Sequence, residues 1–414
     1  MTGPELRRTL GLADAVTVGL TAMIGAGVFV AFGPAAAAAG SALFAGLAIA
    51  ALIAYCNASS SARLAARYPQ SGGTYVYGRE RLGPFWGHLA GWSFVVGKTA
   101  SCAAMALTVG HYAWPAQGHA VAAGAVVALT ALNVAGVERS TRVARVVVAL
   151  VLAVLTALVV AAFATGAAEP SRLFDGAAAG PFGVLQAAGL LFFAFAGYAR
   201  IATLGEEVRD PARTLPRAIL LALAIALGVY AIVGVVLVAV LGTEALAASA
   251  APLADAARAV GLPVALVTVA ACVAALGSLL ALLLGVSRTA LAMARDGHLP
   301  RALGTVHEAR RVPVHAEVAV GVVVTVVAAT ADLGAAIGFS SFAVLVYYAV
   351  ANASAWTLDS AVRARIVPAV GLIGCVLVAL SLPTGSVSAG ILVLVAGALA
   401  YTVTRSNSPS GTAP

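Results

Sequence analysis

The sequence has little charge, few cysteines and a single lysine. Charged residues make up 10% of the 414 positions, whereas hydrophobic residues make up 62% and the mean hydropathy is +1.01. A water-soluble protein of this length could not bury so much apolar surface. The low charge therefore argues against a soluble globular protein and predicts an integral membrane protein.

Patterns that carry enzymatic or metal chemistry are also missing. The four cysteines have neither CxxC nor metal-ligand spacing, and the chain contains no HExxH or GxSxG motif. No pair of carboxylates falls in the middle of an apolar segment, where an intramembrane enzyme would need one. We therefore expect no metal, no cofactor and no enzymatic activity.

Long apolar runs separated by short polar segments account for nearly the whole chain. Each run is long enough to cross a bilayer as a helix, and the alternating pattern of a membrane β-barrel is absent. The sequence thus predicts an all-α membrane protein with twelve transmembrane helices. The predicted spans are 12–34, 41–66, 86–113, 118–136, 143–166, 182–208, 215–242, 262–293, 314–330, 335–358, 365–382 and 386–404.

The net charge of +8 reflects where the basic residues fall. With the N-terminus inside, nearly all of the 24 basic residues lie in inner connections, while Arg172 and Arg258 lie outside. This distribution predicts a multi-pass protein of the cytoplasmic membrane with both termini cytoplasmic, in contact with lipid and not with nucleic acid. Residues 1–11 and the Ser/Pro-rich tail 405–414 would be cytoplasmic, the tail disordered.

Two spans contain glycine where a transmembrane helix should be continuous. Span one carries Met23-Ile24-Gly25-Ala26-Gly27-Val28-Phe29, and span six carries Phe193-Ala194-Phe195-Ala196-Gly197-Tyr198. A helix broken at mid-depth is tolerated where it lines a polar cavity, and a matching pair of breaks indicates an inverted-repeat transporter. The alternative is that these small residues only allow close helix packing.

Three further motifs, the first of them followed by Gly91-Trp92, occur in order along the chain. Together with the span-one motif they resemble the amino acid–polyamine–organocation superfamily of transporters, nearest to its cationic and L-type branches. The segments that carry the resemblance are Ile24 to Phe29, Tyr68-Pro69-Gln70-Ser71-Gly72-Gly73-Thr74-Tyr75, Gly91-Trp92, Gly205 to Pro216, and Ser287-Arg288 with Met293 to Pro300.

The resemblance implies a LeuT-like fold and secondary transport of an amino acid by alternating access. The core, 12–358, would hold two five-helix repeats, 12–166 and 182–358, with discontinuous helices 1 and 6. Two additional helices would follow at 365–404.

A broken helix offers amide N–H groups to a carboxylate and carbonyl groups to an ammonium, the two charges of an α-amino acid. By resemblance, the amides of the span-one break would hold the carboxylate, and carbonyls of both breaks would hold the amine. Phe193 would also be an aromatic lid. The predicted substrate-binding residues are Met23, Ile24, Gly25, Ala26, Gly27, Phe193, Ala194, Ala196, Gly197, Tyr198 and Ala199.

The residues after the span-six break affect the expected substrate. Carriers of cationic amino acids often have a carboxylate where this chain has Ala199, and Arg200 follows it. A neutral or anionic amino acid is therefore expected. Arg200 is an intramembrane charge and by default functional; alternatively it snorkels, or pairs with Glu206 or Glu207 as a structural gate.

Lys98, in span three, is the only lysine of the chain. In proton-coupled relatives a lysine of span five stands where sodium would bind, but the comparable stretch here contains none. Because a buried amine can exchange a proton or replace a sodium ion electrostatically, we interpret Lys98 as the coupling residue. Alternatively, Lys98 is a counter-charge for an acid such as Glu206. Ser278 on span eight is one hydroxyl that sodium coupling could use.

The sequence thus predicts a permease that moves a neutral or anionic amino acid, with a proton as the coupling ion. An amino acid exporter or antiporter is equally compatible with the site, and a membrane amino-acid sensor is the alternative from another class. No pattern indicates an oligomeric state.

Overall fold

The computed structural model describes residues 10–68, 72–136, 141–202, 204–205, 207–307 and 312–406, and these residues contain helices but no β-strand. The first half of the chain forms α1 (Leu12–Met23), α2 (Gly27–Val30), α3 (Phe32–Ala39), α4 (Leu43–Arg67), α5 (Thr74–Leu82), α6 (Pro84–Ala113), α7 (Gly118–Val134) and α8 (Thr141–Ala164).

The second half adds α9 (Pro181–Phe195), α10 (Ala199–Ala202), α11 (Pro211–Ala248), α12 (Pro252–Ala259), α13 (Val264–Arg295), α14 (Val314–Thr330), α15 (Leu333–Trp356), α16 (Val362–Ser381) and α17 (Thr384–Ser406). Short 3-10 turns occupy Pro115–Gln117, Pro170–Leu173, Ala196–Tyr198 and Arg301–Gly304.

Within the described chain, eleven helical segments are long and apolar enough to cross a bilayer. The remaining predicted span, 314–330, forms α14, an apolar helix of 17 residues. The prediction of an all-helical, multi-pass membrane protein is confirmed. Twelve spans and the inverted repeat stay predictions.

Large apolar side chains project outward from the peripheral helices. Val146 on α8, Val362 on α16 and Leu392 on α17 are 67%, 77% and 70% exposed. In water such exposed apolar surface would promote aggregation, whereas lipid tails solvate it. The outer ring of helices therefore has the composition of a lipid-facing surface.

The centre of the molecule is α6, which is buried along most of its length. It packs against α13 and α15, while α1 packs against α11 and α8, and α9 packs against α3 and α4. The two glycine-containing breaks lie in this interior. Both predicted interruptions occur, at residues 24–26 between α1 and α2, and in a 3-10 turn at Ala196–Tyr198 between α9 and α10.

One connection is more structured than the hydropathy pattern predicts. The helix of span seven continues past residue 242 to Ala248, bending at Gly242, whose φ of 75° is readily adopted only by glycine. The short helix α12 follows and buries Leu253 and Ala256 against the core. Its length is far below that of a span, so hydropathy alone does not detect it.

Candidate functional site

The two breaks are in direct contact. A Cβ atom built on Gly27 would lie 2.6 Å from the Cα atom of Ala194. A Cβ atom built on Gly197 would lie 2.5 Å from the carbonyl carbon of Ala22 and 2.6 Å from the backbone nitrogen of Met23. Such distances are too short for real atoms, so the two interrupted helices cross closely only because these positions carry no side chain.

A cavity of about 360 Å³ lies beside this crossing. Its volume falls at the lower end of the range for small-molecule sites. Ile24, Gly25, Ala26 and Tyr198 are buried close by, outside its lining. The predicted residues that do line it are Met23, Gly27, Lys98, Phe193, Ala194, Ala196, Gly197, Ala199, Arg200, Glu207 and Ser278.

One end of the cavity is exposed. Gly72, Arg288 and Ala292 line this end, whereas Met23 at the first break and Met105 on α6 line the wall and are buried. The exposed end lies beside the C-terminal half of α13 and the residues just before α5.

Side-chain donors already contact the carbonyl groups of the breaks. The Tyr230 hydroxyl, from α11, lies 2.6 Å from the carbonyl oxygen of Met23 and 2.9 Å from that of Ala194, so it can donate its single hydrogen to either. Lys98 Nζ donates to the carbonyl oxygen of Ala196 at 3.1 Å. Each carbonyl oxygen has two lone pairs and can accept a second donor.

The amides of the first break are different. Among the described residues, Gly25 and Ala26 have no backbone acceptor for their N–H groups. Ser278 Oγ donates to the carbonyl oxygen of Thr21 at 2.8 Å, one turn before the break. Its Cβ atom would lie only 2.9 Å from a Cβ atom on Gly25. Ser278 thus packs α13 against the break and its hydroxyl is already bonded.

Charged side chains line the open half of the cavity. Arg200, Glu207 and Arg288 contribute to its wall, and the charges of Glu207 and Arg288 both act on Arg200. Lys98 lies deeper and is 5% exposed. Glu206, which we predicted to act with Glu207, lies outside the described residues.

A hydrogen-bonded cluster stands at the mouth of the cavity. The Tyr75 hydroxyl lines the cavity, donates to the Asp296 carboxylate and lies 3.2 Å from His298 Nδ1. Arg79 Nη1 lies 3.4 Å from the same carboxylate. Burial and the neighbouring carboxylate raise the pKa of Tyr75, and burial lowers the pKa of His298.

Three aromatic residues of the site are absent from the sequence-based prediction. Tyr230 bridges both breaks, while Phe94 and Tyr347 line the cavity with ring centroids 5.3 Å apart. A tyrosine hydroxyl in an otherwise apolar span needs a partner, which is a general signal for Tyr230. The identity of that partner is set by tertiary packing.

A helical membrane protein with a cavity beside two crossed helix breaks has the architecture of a small-molecule transporter. The chain belongs to the Amino acid permease family, whose sequence model matches residues 10–408. The superfamily resemblance drawn from the motifs is therefore confirmed.

Relatives from several kingdoms agree with this assignment. An uncharacterized transporter of Mycobacterium tuberculosis is 66% identical over 405 residues, which cover 97% of this chain and 92% of that protein. Human cationic amino acid transporter 4 is 29% identical, over 83% of this chain and 58% of the relative. The branched-chain amino acid permease BcaP of Bacillus subtilis is 27% identical, over 75% and 72%.

Proposed function

We propose that this permease moves a neutral or anionic amino acid across the cytoplasmic membrane by alternating access, coupled to protons. The observation that carries the proposal is the contact of the two breaks beside one cavity. Among the described residues, the Gly25 and Ala26 amides have no backbone acceptor, and carbonyl groups at both breaks face the Tyr230 hydroxyl, so the breaks offer binding groups for a carboxylate and an ammonium.

In this proposal the amides of Gly25, Ala26 and Gly27 bind the α-carboxylate. The carbonyl oxygens of Met23, Phe193, Ala194 and Ala196 bind the α-ammonium. The Tyr230 hydroxyl lies within hydrogen-bond distance of two of these carbonyl groups and donates to one of them at a time, so it acts as a positioning residue. Phe193 covers the bound substrate.

The charge of the cavity supports a neutral or anionic substrate. Among the described residues, its wall carries Lys98, Arg200 and Arg288 against one carboxylate, Glu207. A substrate with a basic side chain would meet net positive charge there. The names of the relatives include both cationic and branched-chain amino acids, so the local charge is the stronger guide.

Lys98 is proposed as the coupling residue. Its amine bonds the carbonyl oxygen of Ala196, so it ties α6 to the turn of the second break. A charged amine can hold that tie, and loss of its proton would remove a donor and weaken it. Proton binding at Lys98 would thereby favour one arrangement of the second break. Sodium coupling through Ser278 is less well supported, because that hydroxyl is bonded to Thr21.

The membrane arrangement follows from the same proposal. The chain would cross the bilayer twelve times, with α14 as the ninth span, both termini cytoplasmic, and repeats 12–166 and 182–358 forming the core. In this arrangement Arg288 and Arg295, and with them the exposed end of the cavity, would lie on the cytoplasmic side. The structure would correspond to an inward-open state.

A thermal-shift screen of the purified protein against amino acids and amines tests the substrate class, because a ligand of the native state raises the melting temperature. We expect neutral or anionic amino acids among the best ligands, followed by labelled uptake into proteoliposomes. Arginine or lysine as the best ligand would contradict the substrate assignment. A protein that binds an amino acid without moving it would contradict transport and favour a sensor.

A further inference from the structure

A second buried ionisable group lies away from the cavity. Glu317, in the first turn of α14, is 1% exposed. Asn133 Nδ2, from the end of α7, donates to Glu317 Oε1 at 2.5 Å. Glu317 Oε2 has no hydrogen-bond partner among the described residues. A carboxylate inside a membrane protein needs hydrogen-bond donors on both oxygens. Among the described residues, Glu317 has a donor on only one of its two oxygens.

Asn133 connects this acid to the helix that lines the cavity. Its Nδ2 atom also lies 3.4 Å from the carbonyl oxygen of Leu280 on α13. Two residues earlier on α13, Ser278 bonds Thr21 in α1, just before the first break. A continuous set of contacts therefore runs from Glu317 through Asn133 and α13 to the substrate-binding break.

The basic groups on the elements packed against α14 are engaged elsewhere or exposed. On α7, His119 bonds Ala328 at the opposite end of α14. On α6, His88 bonds Gly397, His111 bonds Leu107 and Lys98 bonds Ala196. On α13 and the turn that follows it, Arg288, Arg295 and Arg301 are exposed, and His315 on α14 itself bonds Thr305.

We propose that Glu317 and Asn133 form a proton-binding site at the junction of α7, α13 and α14, separate from the substrate cavity, whose occupancy controls the position of α13. The bound species is a proton: the carboxylate takes one up to become the neutral acid and returns it to water when the junction opens. No other reactant is involved. That this site controls transport rests on the proposed function. The proton site itself can be tested without measuring transport.

Loss of the proton leaves a charge at Glu317 that one amide cannot satisfy. To stabilise this charge, water or another hydrogen-bond donor must reach Glu317 Oε2. Such access requires α14 to separate from α7 or α13. Because Leu280 is bonded to the same asparagine, such a separation would shift α13 against α1. Proton binding is thereby coupled to the shape of the cavity.

The direct test is infrared difference spectroscopy of the full-length protein in lipid nanodiscs, titrated from acidic to alkaline pH. The C=O stretch of a protonated carboxylic acid reports the bound proton. We expect the wild type to show a titrating band that Glu317→Gln lacks. Glu244→Gln, which changes an exposed glutamate, should keep it. Identical spectra for wild type and Glu317→Gln would overturn the proposal.

A second variant guards against misfolding of the first. Asn133→Leu removes the donor and leaves the acid in place. The band should persist, and the pH at which it titrates should differ from that of the wild type. A band that titrates at the wild-type pH would contradict the role of Asn133 in the site.

Transport measurements then separate this inference from the proposed function. In counterflow without an ion gradient, the exchange rate of the wild type should vary with pH, and this variation should be smaller in Glu317→Gln, where Lys98 still responds to pH. A full wild-type pH profile in the variant would contradict control by Glu317. If the wild type moves no amino acid at all, the transport proposal fails, whereas the infrared result still decides whether the proton site exists.

Discussion

The two helix breaks face each other across a few ångströms but are built differently. The first, at residues 24–26, interrupts the helix and is shaped mainly by missing side chains, since Gly25 and Gly27 fit against Ser278 and Ala194. The second keeps a near-helical 3-10 turn, in which Gly197 also fits closely, and is the break that Lys98 contacts, at Ala196; Tyr230 contacts both breaks, at Met23 and Ala194.

This difference suggests a division of labour. A break defined by glycine has open amides at a fixed place, which suits recognition of the invariant amino-acid backbone. A break defined by donor side chains can change when a donor changes its charge, which suits coupling. The predictions below test this division by adding a methyl group at the first break and removing donors at the second.

The largest effect is expected for Gly27→Ala. Its new Cβ atom would lie 2.6 Å from the Cα atom of Ala194, so the two breaks must move apart. Misplacing binding groups by about 1 Å costs roughly a hundredfold in rate, and uptake should fall by about that factor. Gly228→Ala, where an added Cβ atom meets nothing within 4 Å, is the matched control. Equal uptake by the two variants would refute the close crossing.

Removal of the Lys98 amine should uncouple transport from the proton gradient. A difference of about one pH unit stores about 1.4 kcal/mol, enough for about tenfold accumulation. In proteoliposomes with this imposed gradient, Lys98→Ala should equilibrate the substrate without accumulating it. Arg217→Ala, at an exposed cation, should behave as the wild type. Full accumulation by Lys98→Ala would show that the hypothesis is wrong.

Tyr230→Phe removes the hydroxyl that serves both breaks while keeping the ring. A neutral hydrogen bond contributes about 1 kcal/mol net, so we expect an approximately fivefold weaker apparent affinity for the amino acid. Tyr55→Phe, at a tyrosine that is 49% exposed on α4, provides the control. An unchanged affinity would mean that the Met23 and Ala194 carbonyl groups are held without Tyr230.

The smallest effect is expected at the first break, for Ser278→Ala. A Cβ atom on Gly25 would lie 2.2 Å from Ser278 Oγ and 2.9 Å from its Cβ atom; alanine retains the Cβ atom and loses the hydroxyl with its bond to Thr21. Uptake should fall by about twofold, at the lower limit for a neutral hydrogen bond. A loss as large as that of Lys98→Ala, together with dependence on sodium, would instead assign Ser278 to a sodium site.

Much of the fold is predictable from local sequence. Apolar runs separated by charged loops mark the spans, because a bilayer leaves few alternatives to helices. Gly25, Gly27 and Gly197 mark the breaks, because glycine is unexpected in a helix that a bilayer requires to be continuous. The short helix α12 and the length of α11 are not predictable in this way, since they depend on packing at the surface of the bundle.

The sequence does not reveal which groups the polar side chains of the spans contact. Lys98 and Arg200 attract attention because an intramembrane charge is unusual, but nothing local indicates that Lys98 bonds the carbonyl of Ala196. Tyr230 and Glu317 are lone polar residues in apolar helices, and their roles depend on Met23 and Asn133, which are far away in the chain. Such contacts follow only from the packing of the helices.

The central claim is that the crossed breaks bind the carboxylate and the ammonium of one amino acid. Counterflow uptake of a labelled substrate, in competition with unlabelled analogues, tests it without altering the protein. The free amino acid should compete, whereas its methyl ester, which lacks the carboxylate, and its N-acetyl derivative, which lacks the ammonium, should not. Competition by either derivative as strong as that of the free amino acid would contradict the claim.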